Sequence, residues 1–271
     1  MVRIAATALA GPVVVLVGLV VVVVLAPWWI VIPVFVALAV GVGFSWYASA
    51  QAAESGMVQS PPDAPELHAV VERLCVLADL PKPKIVREWE KKPNSWILGS
   101  HRRGYRLHLT HGLLEALEPS EIEAVIAHEL SHVANRDAAV MTTVGGPVEA
   151  LRGGGALLAD HGGPLRLGGF VALVIGSLAT LGTRALSRHR ELAADAGAAA
   201  LTGGGSALAS ALIKASGIKI PDDDLRSAGV SDVFRLLPVH DDEASGLAAT
   251  HPPLEIRLEH LEQLESSPGG G

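Results

Sequence analysis

The chain has 271 residues, 49% of them hydrophobic and 18% charged, with a formal net charge of −7. Its single cysteine, Cys75, excludes an internal disulfide. An acidic chain with no basic cluster beyond His101-Arg102-Arg103 lacks the electrostatic footprint of a nucleic-acid binder, so no nucleic-acid partner is expected.

No charged residue and no histidine occurs from Ile4 to Ala53. The stretch divides at Ala26-Pro27-Trp28-Trp29 into two segments, each long enough for a bilayer core of about 30 Å. Trp28 and Trp29 at one end, with Trp46 and Tyr47 at the other, fit interfacial aromatic belts. Residues 1–53 are therefore predicted to form a transmembrane helical hairpin in contact with the lipid bilayer. A cleaved signal peptide fits less well, because a second apolar span follows at once and Arg3 is the whole of the charged n-region. The turn near Pro27 carries no Lys or Arg, so the positive-inside rule places both hairpin ends in the cytoplasm. The expected location is the cell membrane, multi-pass, with the bulk of the chain and its active site facing the cytoplasm.

Beyond the Pro61-Pro62 linker, residues 54–265 are expected to form the working domain. An amphipathic helix is predicted over Asp63 to Leu80, with Cys75 as a small core residue. Short β-like patterns at Lys84–Trp89, Asn94–Leu98 and Tyr105–Thr110 predict a small antiparallel sheet. An edge of that sheet is a candidate for holding an extended peptide by main-chain pairing. His101, His108 and His111 have no partner at ligand spacing and are expected at the surface.

A capping box from Ser120 to Glu123 and an apolar stripe at Ile122, Val125, Ile126, Leu130 and Val133 predict a helix from about Ser120 to at least Arg136. It carries His128-Glu129-Leu130-Ser131-His132. Helix positions four apart share a face, so both imidazoles can reach one ion while Glu129 stays free to handle a proton. This is the H-E-x-x-H arrangement of zinc metalloproteases. A catalytic zinc needs a third protein ligand and an open vertex. Glu191, within Ser187–Asp195, completes a His2Glu set with His128 and His132 for one Zn2+ per chain. Asp195, one turn on, is placed to orient one of the imidazoles from its far side. His189 is too far round the helix from Glu191 to bind the same ion.

An apolar block, Leu167 to Thr183, lies between the two metal motifs. His128, His132 and Glu191 must share one side of a membrane, so the chain between them crosses an even number of times. Residues 138–186 thus form either two further spans or a re-entrant or interfacial hairpin. Glu149, Arg152 and the glycine runs at 145–146 and 153–155 disfavour a straight spanning helix there. Ala207–Ser216 and Leu254–Leu264 are predicted helices. The acidic loops 222–224 and 241–243 are expected to be solvated, and residues 266–271 to be a disordered tail.

Together these motifs resemble the HtpX-type membrane metalloproteases, relatives of the CAAX prenyl endopeptidases. The matching stretches, in order, are the N-terminal apolar pair, His128–His132 followed by Asn135-Arg136-Asp137, then Ser187 through Asp195, and Thr250-His251-Pro252-Pro253 with Arg257. The resemblance implies a mainly α fold with a small antiparallel sheet, a gluzincin-like zinc metalloprotease domain attached to a transmembrane helical hairpin. It implies an endopeptidase of protein quality control, taking damaged or misfolded membrane proteins as polypeptide substrates. The family's Asn-Ala-Phe-type strand is replaced here by Asn94-Ser95-Trp96-Ile97-Leu98-Gly99, a bulkier edge that bears on substrate preference.

In the mechanism that follows, Glu129 takes a proton from the attacking water and passes it to the leaving amine. His251 and Arg257 are candidate oxyanion donors, although His251-Pro252-Pro253 would serve equally as a rigid turn. Two rivals remain: a CAAX-type prenyl-peptide endopeptidase, and a membrane-anchored, zinc-binding, chaperone-like protein without proteolysis.

Overall fold

In a computed structural model of the chain, the residues described are 64–101, 104–160, 164–216 and 251–266, with Val36, Ala39, Gly43 and Tyr47. The expected hairpin over 1–53, the acidic loops and residues 267–271 lie outside the described residues, these four positions apart. The chain forms two compact units. One comprises Met1–Ala48, Ala139–Ser187 and Gly246–Thr250; the other comprises Ser49–Ala138, Arg188–Ser245 and His251–Gly271.

The second unit opens with helix α1 (Pro65–Leu77), started by a proline whose missing N–H costs nothing in the first turn. Strands β1 (Lys84–Glu88), β2 (Ser95–Ser100) and β3 (Gly104–Thr110) follow, then helices α2 (His111–Ala116) and α3 (Pro119–Ala134). The sheet is mixed, not antiparallel as the sequence pattern suggested. Its order is β1-β3-β2, with β1 parallel to β3 and β2 antiparallel to it. Residue alternation identifies the strands, whereas strand order is set by how the segment between β1 and β2 carries the chain past the place β3 will fill. The long polar segment between β1 and β2, Trp89–Asn94, provides that passage.

Alternation also divides the sheet's two faces. Ile85, Ile97, Leu107 and Leu109 join one core with Leu74 of α1, Leu113 of α2 and Val125 and Leu130 of α3. Ser95 is paired with Leu109 and so shares this face, turned toward α3. Val86, Trp96 and His108 lie opposite one another on the other face and are also buried. His108 is therefore not a surface histidine. Its ring stacks on Trp96 with centroids 4.9 Å apart, and Nδ1 stands 3.0 Å from Glu88 Oε1. Burial pushes the His108 imidazole below its ordinary value despite the glutamate.

Helix α3 begins one step earlier than the expected Ser120/Glu123 box. Glu118 is the N-cap, Pro119 takes the first turn, and the Glu121 carboxylate accepts the Glu118 backbone N–H at 2.8 Å. The same carboxylate accepts Ser210 Oγ–H at 2.6 Å and Lys214 Nζ–H at 2.9 Å, which ties α3 to helix α6 (Ser206–Ser216). Helix α7 (Leu254–Ser266) closes the unit and adds Leu261 to the core.

Helices α4 (Asp137–Ala159) and α5 (Pro164–Thr202) pass through the first unit. Despite Pro147 and its glycines, α4 is one continuous helix, against the expectation of an interrupted path. The two helices pack antiparallel through small residues. A Cβ on Gly155 would meet Leu173 N at 2.8 Å, and one on Gly176 would meet Arg152 Cγ at 2.7 Å. The α5 segment Arg166–Thr202 is the one described helix long and apolar enough to cross a membrane, by an 18-residue stretch of mean hydropathy 1.6 within it.

Candidate metal centre

The i, i+4 spacing on α3 does what helix geometry requires. His128 and His132 project from one face, are both buried, and bring their Nε2 atoms to 3.2 Å. The second half of α5 supplies Glu191. Its Oε2 lies 3.7 Å from His128 Nε2, and its Oε1 3.6 Å from His132 Nε2. Glycine makes this approach possible: a Cβ at Gly197 would stand 2.5 Å from Ser131 Oγ and 2.9 Å from Ser131 Cβ, so α5 lies against α3 there.

Each imidazole is backed by its own aspartate, and each aspartate by its own arginine. Asp137 Oδ2 lies 2.6 Å from His132 Nδ1, and Asp137 Oδ1 2.9 Å from Arg190 Nε. Asp195 Oδ1 lies 2.9 Å from His128 Nδ1 in a contact bent away from the ring N–H axis. Arg257 Nε and Nη2 donate to the two Asp195 oxygens at 2.9 and 2.6 Å. Burial acts to raise both aspartates. For Asp195, the Arg257 guanidinium and the His128 imidazole outweigh it and hold the carboxyl far below the usual carboxylate range. For Asp137, His132 and Arg190 outweigh it. Both carboxylates are thus charged acceptors that draw the Nδ1 protons toward themselves.

That arrangement is a direct test of whether a metal fits. With Nδ1 of each ring beside an aspartate, the two Nε2 atoms face each other at 3.2 Å. Glu191 Oε2 is buried beside them without a hydrogen-bond partner. Ligand atoms from His128, His132 and Glu191 all lie within 4.8 Å of one another. Two imidazole nitrogens and a carboxylate oxygen converging in this way are a donor set that fits a cation. Tetrahedral ligands at about 2.05 Å from a zinc ion lie about 3.3 Å apart, close to the separations found here.

Glu129, between the two histidines in sequence, is fully buried on another side of α3. Ser95 Oγ–H donates to its Oε1 at 2.7 Å, while Oε2 has no partner. Burial, against the pull of His132 and of the Ser95 hydroxyl, pushes the carboxyl up to about 7 in the metal-free protein. His251 is buried and reaches Glu191 electrostatically. Burial tends to raise the Glu191 carboxyl, but His251, His132, Arg257 and His128 hold it below its ordinary value.

The chain's resemblance to known proteins agrees with this site. A sequence profile described as "Peptidase family M48" matches residues 61–265. The chain belongs to peptidase family M48. As an M48 peptidase it is a metalloprotease. Similar proteins include "Protease HtpX homolog" of Moorella thermoacetica, 40% identical over 253 residues that cover 86% of this chain and 83% of that protein. "Protease HtpX homolog 1" of Streptomyces coelicolor is 40% identical over 258 residues, 89% of this chain and 84% of that one. "Protease HtpX homolog 2" of Methanosarcina mazei is 38% identical over 223 residues, 77% and 75% of the two chains. Among solved structures, that of S. mikatae Ste24p aligns with a TM-score of 0.45 at 18% identity, over 71% of this chain and about half (49%) of that one.

The tertiary structure brings together all three expected ligands and places Asp195 on His128. Arg257 stands at the site as well: Nε and Nη2 are on Asp195, and Nη1 lies 3.8 Å from Glu191 Oε2. Asp137, Arg190 and Ser95 were missed as site residues. All three lie within motif stretches of the sequence, and a carboxylate just past the second histidine is the signal that points to Asp137.

Proposed function

We propose that the protein is a membrane-bound zinc endopeptidase acting on membrane proteins, including damaged ones, from the cytoplasmic side. His128, His132 and Glu191 hold the ion. The observation that carries this reading is the pair of Nε2 atoms facing each other at 3.2 Å beside Glu191, with Asp137 and Asp195 at 2.6 and 2.9 Å from the two Nδ1 atoms.

Zinc, when bound, supplies a Lewis acid for the scissile carbonyl and lowers the pKa of water. The chain's own residues do the rest. Glu129 Oε2, the oxygen without a protein partner, accepts a proton from the attacking water and delivers it to the leaving amine. Asp137 and Asp195 keep the two rings in the Nδ1–H tautomer. Arg257 holds Asp195 and so acts as a positioning residue. His251 adds positive charge beside Glu191 when protonated.

The membrane reading rests on α4 and the first half of α5. Leu167, Phe170, Val171, Val174, Leu178 and Leu181 recur at helical spacing and are exposed. At 39 residues α5 is about 58 Å long, so its first half suffices to cross a bilayer core of about 30 Å. Helix α4 packs antiparallel on this segment, and a hairpin of the two, spanning or re-entrant, keeps Glu191 on the side it shares with His128. The Glu149–Arg152 pair on α4, 3.1 Å apart, lowers the cost of placing either charge there.

The test is Glu129→Gln in purified full-length protein in detergent. Zinc is expected to remain at one per chain while casein cleavage disappears. Proteolysis persisting in a contaminant-free preparation would overturn the assignment of Glu129, and absence of stoichiometric zinc in the wild type would overturn the metal site.

A further inference from the structure

Glu129 has two carboxylate oxygens with opposite environments, and Ser95 is the cause. Ser95 stands at the first position of β2, fully buried, on the sheet face turned toward α3. Its backbone is fixed from several directions. Ser95 N–H donates to Asn94 Oδ1 at 2.9 Å, and Asn94 N–H donates to Thr110 Oγ1 at 2.8 Å. Thr110 returns its hydroxyl and its N–H to the Asn94 carbonyl at 3.0 and 3.1 Å. The Ser95 Cβ is therefore held by the sheet, and its hydroxyl reaches across to Glu129 Oε1 at 2.7 Å.

We infer that Ser95 is a positioning residue for the hydrolytic reaction: its hydroxyl occupies Oε1 of Glu129 and thereby dedicates Oε2 to proton transfer. The inference rests on the reading of Glu129 as the proton carrier. A carboxylate with no fixed partner turns about its last torsion, whose energy profile is broad and two-fold. One short, charge-assisted hydrogen bond removes that freedom. The bond also joins β2 to α3, so the strand edge and the proton carrier are set relative to each other by a single contact. Proton transfer falls off steeply when the base is misaligned, so losing the hydroxyl should affect turnover more than substrate binding.

The experiment compares Ser95→Ala, Ser95→Cys and Ser95→Thr with wild type and Glu129→Gln, as full-length zinc-loaded protein in detergent, cleaving a fluorogenic casein-derived peptide. Ser95→Ala should lower kcat roughly tenfold, a fraction of the 10²–10⁴ that general base catalysis supplies. KM should stay within about twofold and zinc content at one per chain. Ser95→Cys, nearly the same shape with a weak donor, should fall between the two, and it also decides the matter should the alanine variant not fold. Ser95→Thr, which keeps the hydroxyl, should retain most of the wild-type kcat. Wild-type kcat in both the alanine and cysteine variants would overturn the proposal, as would an equal loss in alanine and threonine variants, since that would mean packing alone. An inactive Glu129→Gln beside a fully active Ser95→Ala would sink this inference and leave the function standing. An active Glu129→Gln would sink both.

Discussion

Asp137, the first residue of α4, folds back over the end of α3 to place Oδ2 2.6 Å from Nδ1 of His132. A straight continuation of α3 would carry residue 137 away from that ring. The break is made by Asn135 at the C-cap and by Arg136, whose φ of 54° lies in the left-handed region. A non-glycine residue held there costs about 1–2 kcal/mol, so the turn persists against a local preference. The contact between Asp137, His132 and Arg190 offsets that cost.

If Asp137 fixes the tautomer of His132, Asp137→Asn should weaken zinc binding roughly 10–100-fold, the usual effect of removing such a partner. The fold should survive, because the amide keeps the volume and can still accept from Arg190. Competition with a fluorescent chelator measures the affinity. An unchanged dissociation constant would remove Asp137 from the metal centre.

Arg257 separates two roles that the sequence alone left together. As the partner of Asp195 it should matter to the whole site. Arg257→Leu strands a buried carboxylate and should cost about 3–5 kcal/mol of stability along with zinc affinity. A variant that keeps zinc and melting temperature but loses kcat would instead make Arg257 an oxyanion donor.

Close contact at Gly197 is what lets α5 present Glu191 to α3. Gly197→Leu should push the helices apart and lower zinc below one per chain, while Gly197→Ala, whose Cβ meets Ser131 Oγ and Cβ alone, should shift them less and be milder. Metal analysis after gel filtration distinguishes the two. Full zinc loading in the leucine variant would contradict this packing.

Acid sensitivity should have a source remote from the metal. Burial tends to raise the Glu121 carboxyl, but Lys214, Ser210 and the Glu118 N–H hold it below its ordinary value. The native state therefore binds fewer protons here than the unfolded chain. The resulting stability is fully present above the unfolded value of about 4.3 and is lost as pH falls through the lower folded value. In metal-free protein, Lys214→Met should lose about 0.5–1 kcal/mol at neutral pH. It should also lose less than wild type on acidification from pH 5 to pH 3. Parallel melting-temperature profiles for the two proteins would refute this.

Much of the metal centre was written locally. The spacing of His128, Glu129 and His132 on a helix fixes which side chains share a face, because 3.6 residues make a turn whatever the surroundings. The one-turn spacing of Glu191 and Asp195 likewise placed the candidate ligand and the carboxylate beside His128 on one side of α5. Apolar alternation found β1, β2 and β3 to within a residue or two.

Only the tertiary structure decided what depends on contacts between distant segments. Strand order made the sheet mixed, since pattern marks a strand but not its neighbour. A left-handed residue turned Asp137 back onto His132. The register of β2 on β3 put the Ser95 hydroxyl on Glu129, and burial on the second sheet face enclosed His108. Periodicity reports which way a side chain leaves its own element; what it meets there is chosen by packing, where residues far apart in the chain compete for the same space.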